Sequence, residues 1–359
     1  MKIVRVELGE RSYTVHVGAG LLGALDERLP VFPHARRAVL VADANVVAWA
    51  KPAAESLGRR LEVEVLEVAA GERSKSLEVA GGLLEELGKL GIRRHDVVLG
   101  LGGGMVGDLA GFVGSVWQRG VAVVQLPTSL LAMVDAAIGG KTAVNLSCGK
   151  NLVGTFHQPA AVVADTRTLT TLPEREYRSG LAEVAKYGFS LDPPILDLLE
   201  ANLDRVAARD PDLLEELVAR SAGIKARIVA EDELDLKDRR AILNYGHTFG
   251  HALELDGGYE RWLHGEAISV GLVFAATLAG ASGLLDQDAV ERHRSVLDRL
   301  GLPTRADFDP GAMAARWSMD KKHRGVQHWV LLRGIGDPVV TPDVGPAAIE
   351  TALAAVRAE

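Results

Sequence analysis

The sequence predicts an α/β protein of two domains. An N-terminal Rossmann-like α/β domain spans residues 1–172, and an all-α C-terminal domain spans residues 173–359. Three observations predict it. Short Val- and Leu-rich runs alternate with helical patterns through the first half, a Gly-rich turn joins one of those runs to a helix, and from about Leu172 long helical patterns take over. A chain of 359 residues also suits two domains at roughly 100–200 residues each.

The strand runs come first. Ala38–Asp43, Leu61–Val68, Val97–Leu101, Val121–Leu126 and Ala161–Ala164 are apolar, rich in Val and Leu, and bounded by turn residues. Helical patterns lie between them at Leu77–Leu90 and Asp108–Trp117. Near-continuous apolar strands alternating with helices predict a parallel sheet covered on both faces. In the second half, helical patterns cover Glu174–Tyr187, Pro193–Arg209, Leu213–Glu231, Ala241–Leu255, Gly265–Gly283 and Ala289–Leu300, with one late strand at Trp329–Leu332. Ala267–Leu285 holds no charge, but its Ala, Gly, Ser and Thr content predicts a buried helix rather than a membrane span.

Composition narrows the function. With 40 Lys+Arg against 48 Asp+Glu, the net charge is −8, which argues against a sequence-independent nucleic-acid binder. A single cysteine, Cys148, excludes a disulfide framework and any multi-Cys zinc or iron–sulfur site. The N-terminus lacks the apolar core of a signal peptide, so a cytoplasmic location is expected. The 11 lysines are outnumbered by 29 arginines, yet Lys75, Lys141, Lys150, Lys186, Lys225, Lys321 and Lys322 all sit in Gly-rich or polar motif-like segments. Lys is a compact charge with a tunable pKa, and Arg does not replace it in that role.

Gly102, Gly104 and Gly107 follow G-x-G-x-x-G spacing at a strand-to-helix junction, where backbone can approach a pyrophosphate and a helix start offers free N–H groups. No acid follows some 20 residues on, so Asp43, at the end of an earlier strand, becomes the candidate for the ribose. Gly139-Gly140-Lys141-Thr142 resembles the end of a Walker A loop but lacks its first glycine, which argues against a P-loop NTPase; Lys141 can still neutralise a phosphate. In the second half, His247 and His251 fall at i, i+4 on one helix face, His264 and Glu266 follow a Gly-rich turn, and Glu183 shares a face with Lys186. Two His and one Glu form a catalytic zinc set with a coordination position left open. Spacing alone leaves open which two His take part.

Together these segments resemble the 3-dehydroquinate synthase family across nearly the whole chain. The likeness rests on Gly71 to Ser76, Gly102 to Phe112, Gln118-Arg119-Gly120, Pro127 to Asn145, Gly149 to Pro159, Glu183 to Gly188, Arg240 to His251, His264 to Ala267 and Asp320-Lys321-Lys322. That resemblance implies an NAD-binding N-terminal domain, a divalent metal (zinc or cobalt) in a helical C-terminal domain, and an active site in the cleft between. It implies conversion of 3-deoxy-D-arabino-heptulosonate 7-phosphate to 3-dehydroquinate and phosphate, with NAD recycled. On the matching positions, NAD would be held by Asp43, Asn45, Glu72, Lys75, Gly104, Met105, Val106, Gly107, Asp108, Thr128, Ser129, Lys141, Lys150, Thr168, Leu169, Thr170 and Thr171. Glu183, His247 and His264 match the metal ligands. Lys186, Lys225, Arg240, Asn244, His251, Asn151 and either Lys321 or Lys322 match substrate contacts, with Asp135 and Lys141 in the same site. Arg119 matches an arginine that reaches the substrate phosphate from the other subunit of a homodimer.

The sequence departs from the family pattern at Met133 and Ala136-Ala137, where polar residues are expected, and around Asp235, where the chain is one residue longer. The second departure puts the register of Lys225 and of Arg240 against Arg239 in question. Two other enzyme classes share these features: a sugar-phosphate cyclase with a different substrate, and a metal- and NAD-dependent polyol dehydrogenase that would release NADH.

Overall fold

The computed structural model describes residues 1–317, 328–342 and 344–358. Lys321 and Lys322, expected at the substrate, lie outside the described residues. The chain divides into two compact units, Met1–Leu172 with Arg209–Leu234, and Pro173–Ala208 with Asp235–Glu359. The segment Arg209–Leu234, which sequence position assigned to the second domain, therefore packs with the first.

The first unit is built on a seven-stranded sheet. Its strands are β1 (Lys2–Val6), β2 (Tyr13–Gly18), β3 (Arg37–Asp43), β4 (Glu62–Val68), β5 (Val97–Gly102), β6 (Ala122–Pro127) and, after a hairpin, β9 (Ala161–Asp165). The order is β1-β2-β9-β6-β5-β3-β4. β1 and β2 pair antiparallel and every other neighbour is parallel. β3 explains the covering on both faces. Leu40 and Ala42 join an apolar cluster with Leu25, Leu57 and Leu99, while Val39 and Val41 join the opposite cluster with Leu83, Leu87 and Leu109. β4 closes one edge with exposed Glu62 and Glu64, charges that discourage pairing with another strand. The helix Pro211–Glu231 packs on β1 and β2. A separate antiparallel hairpin, β7 (Lys141–Leu146) and β8 (Gly149–Phe156), carries Lys141, Lys150 and Asn151.

From β3 the chain moves outward to β4, then returns to the other side of β3 to form β5. The strand order thus reverses between β3 and β5, and open α/β sheets bind ligands at the carboxyl ends of strands at such a point. Those ends are Asp43 and Gly102. A Cβ on Gly102 would lie 2.8 Å from the Val106 Cβ and 3.2 Å from the Asp43 Cβ, so only glycine allows strand, helix and acid to converge there.

The second unit is helical, with one small hairpin, β10 (Trp329–Leu332) and β11 (Pro338–Thr341). Its central helix, His264–Ala281, packs against the helices Glu174–Ser190, His247–Asp256, Gln287–Arg299 and Pro346–Val356. It is long and apolar enough to cross a membrane by length and composition, yet 72% of it is buried, as a core helix requires.

Candidate active site

In the second unit, three helices deliver one side chain each to a common point. The helix Glu174–Ser190 is buried from Ser179 to its end, and it carries Glu183 and Lys186 on one face. The helix His247–Asp256 starts with His247, and the helix His264–Ala281 starts with His264. That last start is fixed from two sides. Glu266 accepts the Leu263 N–H at 2.9 Å and takes Arg175 in a bidentate pair at 2.6 and 2.7 Å. The Gly265 N–H donates to Ser179 Oγ at 3.0 Å, and a Cβ on Gly265 would fall 1.8 Å from the Ser179 carbonyl oxygen. Glycine is thus what lets His264 approach Glu183.

Glu183 Oε1 lies 3.4 Å from His247 Nε2 and 3.5 Å from His264 Nε2. The three donor atoms lie within 4.8 Å of one another. A tetrahedral zinc with ligands at about 2.0–2.1 Å has ligand–ligand edges near 3.3–3.4 Å, so the observed edges fit such an ion. The donor chemistry agrees. Glu183 Oε1, the oxygen that faces both imidazoles, is sealed from solvent and accepts no hydrogen bond of good geometry, a cost that a cation would remove. The Lys186 ammonium sits 2.5 Å from Glu183 Oε2, also fully buried. Although burial opposes ionisation, Lys186, His247 and His264 hold the Glu183 carboxyl well below its ordinary range.

The two imidazoles are set apart. Burial and the neighbouring Lys186 push His247 down to about 3, so its ring is neutral. For His264, burial works the same way but contacts with Glu183 and Glu254 win, raising it to about 10. His247 Nδ1 is 3.1 Å from the Tyr245 carbonyl, which turns Nε2 toward Glu183. His251 is exposed, one turn further on, with its ring centroid 5.2 Å from that of His247 and 6.1 Å from that of His264. Spacing left three histidines open; the donor geometry selects His247 and His264 with Glu183. Arg240 and Asn244 lie on the turn Arg239–Asn244, where Arg240 is buried and Arg239 exposed, so the inward register belongs to Arg240.

The first unit holds a second network around the Gly-rich turn. The buried Lys75 donates to the Asp108 carboxylate and to Asn151 Oδ1, the latter at 2.5 Å. Asn145 bridges Glu72 (2.7 Å) to the Asn151 N–H (2.9 Å). Asn151, expected at the substrate, thus stands in the same network as Lys75 and Asp108. Asn145 was not singled out among the expected contacts. The Asp43 carboxylate caps the Asn45 N–H at 2.8 Å. Thr128 bonds the Gly102 carbonyl through its N–H, and the Ser129 hydroxyl lies 3.5 Å from where a Cβ on Gly103 would stand. Among the expected cofactor residues, Gly104 and Met105 open the helix Gly104–Val116, while the Val106 side chain is wholly buried in the core. Gly107 packs against Gln125, whose side chain bonds the Gly107 carbonyl at 2.9 Å. The turn Thr166–Thr171 is internally tied. Thr168 bonds the Asp165 carbonyl, the Leu169 carbonyl accepts from Arg209, Thr170 bonds the Arg167 carbonyl, and Thr171 accepts from the Trp49 indole. Lys141 opens β7 and Lys150 lies on β8. Lys225 is 2.7 Å from the Asp135 carboxylate, at a π-helical turn over Ala132–Ala136. Arg119 is exposed in a tight turn with φ of +63°, apart from the Lys75 network.

A sheet with its strand reversal beside Asp43, and a carboxylate with two imidazoles poised for an open-sided ion, define a metalloenzyme on a nucleotide-binding fold. Models of the 3-dehydroquinate synthase N-terminal and C-terminal regions match residues 65–179 and 180–323. The chain is 47% identical to a 3-dehydroquinate synthase from Halorhodospira halophila, covering 98% of this chain and 99% of that one. It is 32% identical to a solved 2-epi-5-epi-valiolone synthase from Streptomyces hygroscopicus with NAD+ and Zn2+ bound, covering 98% of each chain with a TM-score of 0.88. A 2-deoxy-scyllo-inosose synthase complexed with carbaglucose-6-phosphate, NAD+ and Co2+ is 29% identical over 98% of this chain and 99% of that one, TM-score 0.87. The chain belongs to the 3-dehydroquinate synthase family.

Proposed function

We propose that this enzyme converts 3-deoxy-D-arabino-heptulosonate 7-phosphate to 3-dehydroquinate and phosphate, a lyase step of aromatic amino-acid biosynthesis (the shikimate pathway). The observation that carries the reading is the Glu183–His247–His264 set beside the buried Lys186, in a chain whose full-length relatives at 45–48% identity carry that name. NAD would be held at the strand reversal by Asp43 and by the Lys75–Asp108 network, and a divalent zinc or cobalt by Glu183, His247 and His264. When bound, they supply a hydride acceptor and a Lewis acid for a transient alcohol oxidation.

The chain's own residues do the rest. Lys186, Arg240, Asn244 and His251 of the second unit supply the groups for a substrate that carries both a carboxylate and a phosphate. Charged donors fixed in place before the substrate arrives act strongly where water is excluded. Glu183 holds the Lys186 ammonium in one position, and Asp135 holds that of Lys225. The overall change is redox-neutral: oxidation acidifies the adjacent C–H, phosphate departs as that proton is lost, the carbonyl is reduced again, and the opened ring closes by intramolecular aldol addition. We assign the NAD-binding role to residues 1–172 together with the helix Pro211–Glu231, and the metal and most substrate contacts to the remainder.

The reading includes a cytoplasmic homodimer in which Arg119 serves the partner's substrate. Supporting it, β8 pairs only with β7 among the described residues and exposes Leu152 and Phe156 on one face, an apolar stripe suited to a second copy. The test is the purified enzyme with the heptulosonate substrate, NAD and zinc or cobalt: phosphate should be released with no net reduced nicotinamide. Stoichiometric NADH would instead mark a dehydrogenase.

A further inference from the structure

This inference rests on the metal reading above and concerns a residue outside the three ligands. His247, His251 and Glu254 follow i, i+4, i+7 spacing and share one face of the helix His247–Asp256. Glu254 is 8% exposed, and its Oε2 lies 3.2 Å from His264 Nδ1. That nitrogen is on the side of the ring opposite Nε2, the atom that faces Glu183. An imidazole that presents Nε2 to a cation as a lone pair must carry its proton on Nδ1, and a partly buried N–H needs an acceptor. His247 meets the same requirement with a neutral group, the Tyr245 carbonyl at 3.1 Å. The two histidines therefore differ in the charge of what stands behind them.

We propose that Glu254 is a positioning residue of the metal centre: its carboxylate takes the Nδ1–H of His264, fixes the tautomer and ring angle that present Nε2, and makes His264 the stronger donor of the two imidazoles. It acts through His264 and does not itself touch the ion. Glu254, His251 and His264 also offer one donor atom each within 4.8 Å of one another, so a second cation is the rival arrangement. That arrangement would need His264 Nδ1 as a lone pair while Nε2 also binds, which strips the ring of both protons. The buried carboxylate beside Nδ1 favours keeping the proton.

The test is competition for Zn2+ between the metal-free enzyme and a chelating indicator. The wild type should bind one ion per chain. Glu254→Ala and Glu254→Gln should bind it about 10–100-fold more weakly, with NAD affinity unchanged and the Gln variant, which can still accept through Oε1, nearer to wild type. A packing role alone would leave Glu254→Gln, which has the same shape, at wild-type affinity, and that result would overturn the proposal. Two ions in the wild type falling to one in the variants would overturn it too, making Glu254 a ligand. A wild type that binds no ion would refute the metal reading itself. The cobalt-loaded wild type gives a readout independent of how the variants fold: His264 should show a paramagnetically shifted N–H resonance from Nδ1, slow to exchange with solvent. Its absence would count against Glu254.

Discussion

Lys225 holds Asp135 by two bonds, one to the carboxylate at 2.7 Å and one to the backbone carbonyl at 2.6 Å. The carbonyl belongs to a π-helical turn, an uncommon local geometry, and it also accepts the Ile138 N–H at 3.0 Å. A lysine from the helix Pro211–Glu231 thus fixes the backbone of the segment that precedes Lys141, while its own ammonium is held in one place.

Lys225→Met should remove both bonds. Hydrogen bonds to a charged group contribute about 1.5–3 kcal/mol, and the Asp135 side chain is about one-third exposed, so a loss near the lower end is expected. Asp135→Asn keeps the carbonyl bond and should lose less. Urea midpoints of the two variants check the order; an equal loss would show that the backbone bond contributes nothing.

Removal of a metal donor gives a second expectation. His264→Ala should lower bound zinc or cobalt and cut turnover at least about hundred-fold, with an unchanged far-UV circular dichroism spectrum. Normal metal content with full activity would remove His264 from the ligand set.

Gly265→Ala probes how that histidine is placed. The added methyl would meet the Ser179 carbonyl at 1.8 Å, far inside contact distance. The two helices would have to separate, at about 1–3 kcal/mol, as overpacking typically costs. Because His264 is the preceding residue, metal affinity should fall with stability. A variant with a lower Tm but unaltered zinc affinity would show that the ligand is placed independently of this contact.

A pH effect follows from His293. Its ring is wholly buried and stacked on Phe189 at 3.7 Å; Nε2 accepts from the Tyr245 hydroxyl at 2.9 Å, and Nδ1 donates to the Ala289 carbonyl at 2.7 Å. Burial pushes it down to about 4 from 6.5. Between those values the unfolded chain binds the extra proton and the folded chain does not. The contribution is therefore fully present above about pH 6.5 and is lost as pH falls toward 4. The shift corresponds to roughly 3 kcal/mol across that window. Urea unfolding at pH 7 and pH 5 should show the loss in the wild type and a flatter profile in His293→Phe; equal slopes would assign the acid sensitivity to other groups.

The parts of this protein that could be read from its sequence are those with strong local signals. All five strand runs appear in the sheet, and the buried helix predicted over Gly265–Gly283 is its unit's centre. Asp43 was picked for want of an acid after the Gly-rich turn, and the topology sets it beside Gly102. β1, β2, β7 and β8 were not foreseen. β8 consists of Gly, Lys, Asn and Thr with only three large apolar residues, of which Leu152 and Phe156 face solvent and Val153 alone packs on the core, so the buried alternation that marks a strand is missing. The helix Pro211–Glu231 was recognised as a helix but placed in the wrong unit, since position along the chain does not say which sheet a helix returns to. Glu254 could have been found: an acid two turns from His247 on the same face is costly to bury unless something needs it.

The placement of that helix has a genetic consequence. The chain leaves its first unit after Leu172, comes back at Arg209 and departs again after Leu234. Neither unit is an unbroken stretch of gene. A break before Arg209 would leave β1 and β2 without the helix that covers them, and a break after Leu234 would carry Glu183 and Lys186 away from His247 and His264, so no single cut yields either unit whole.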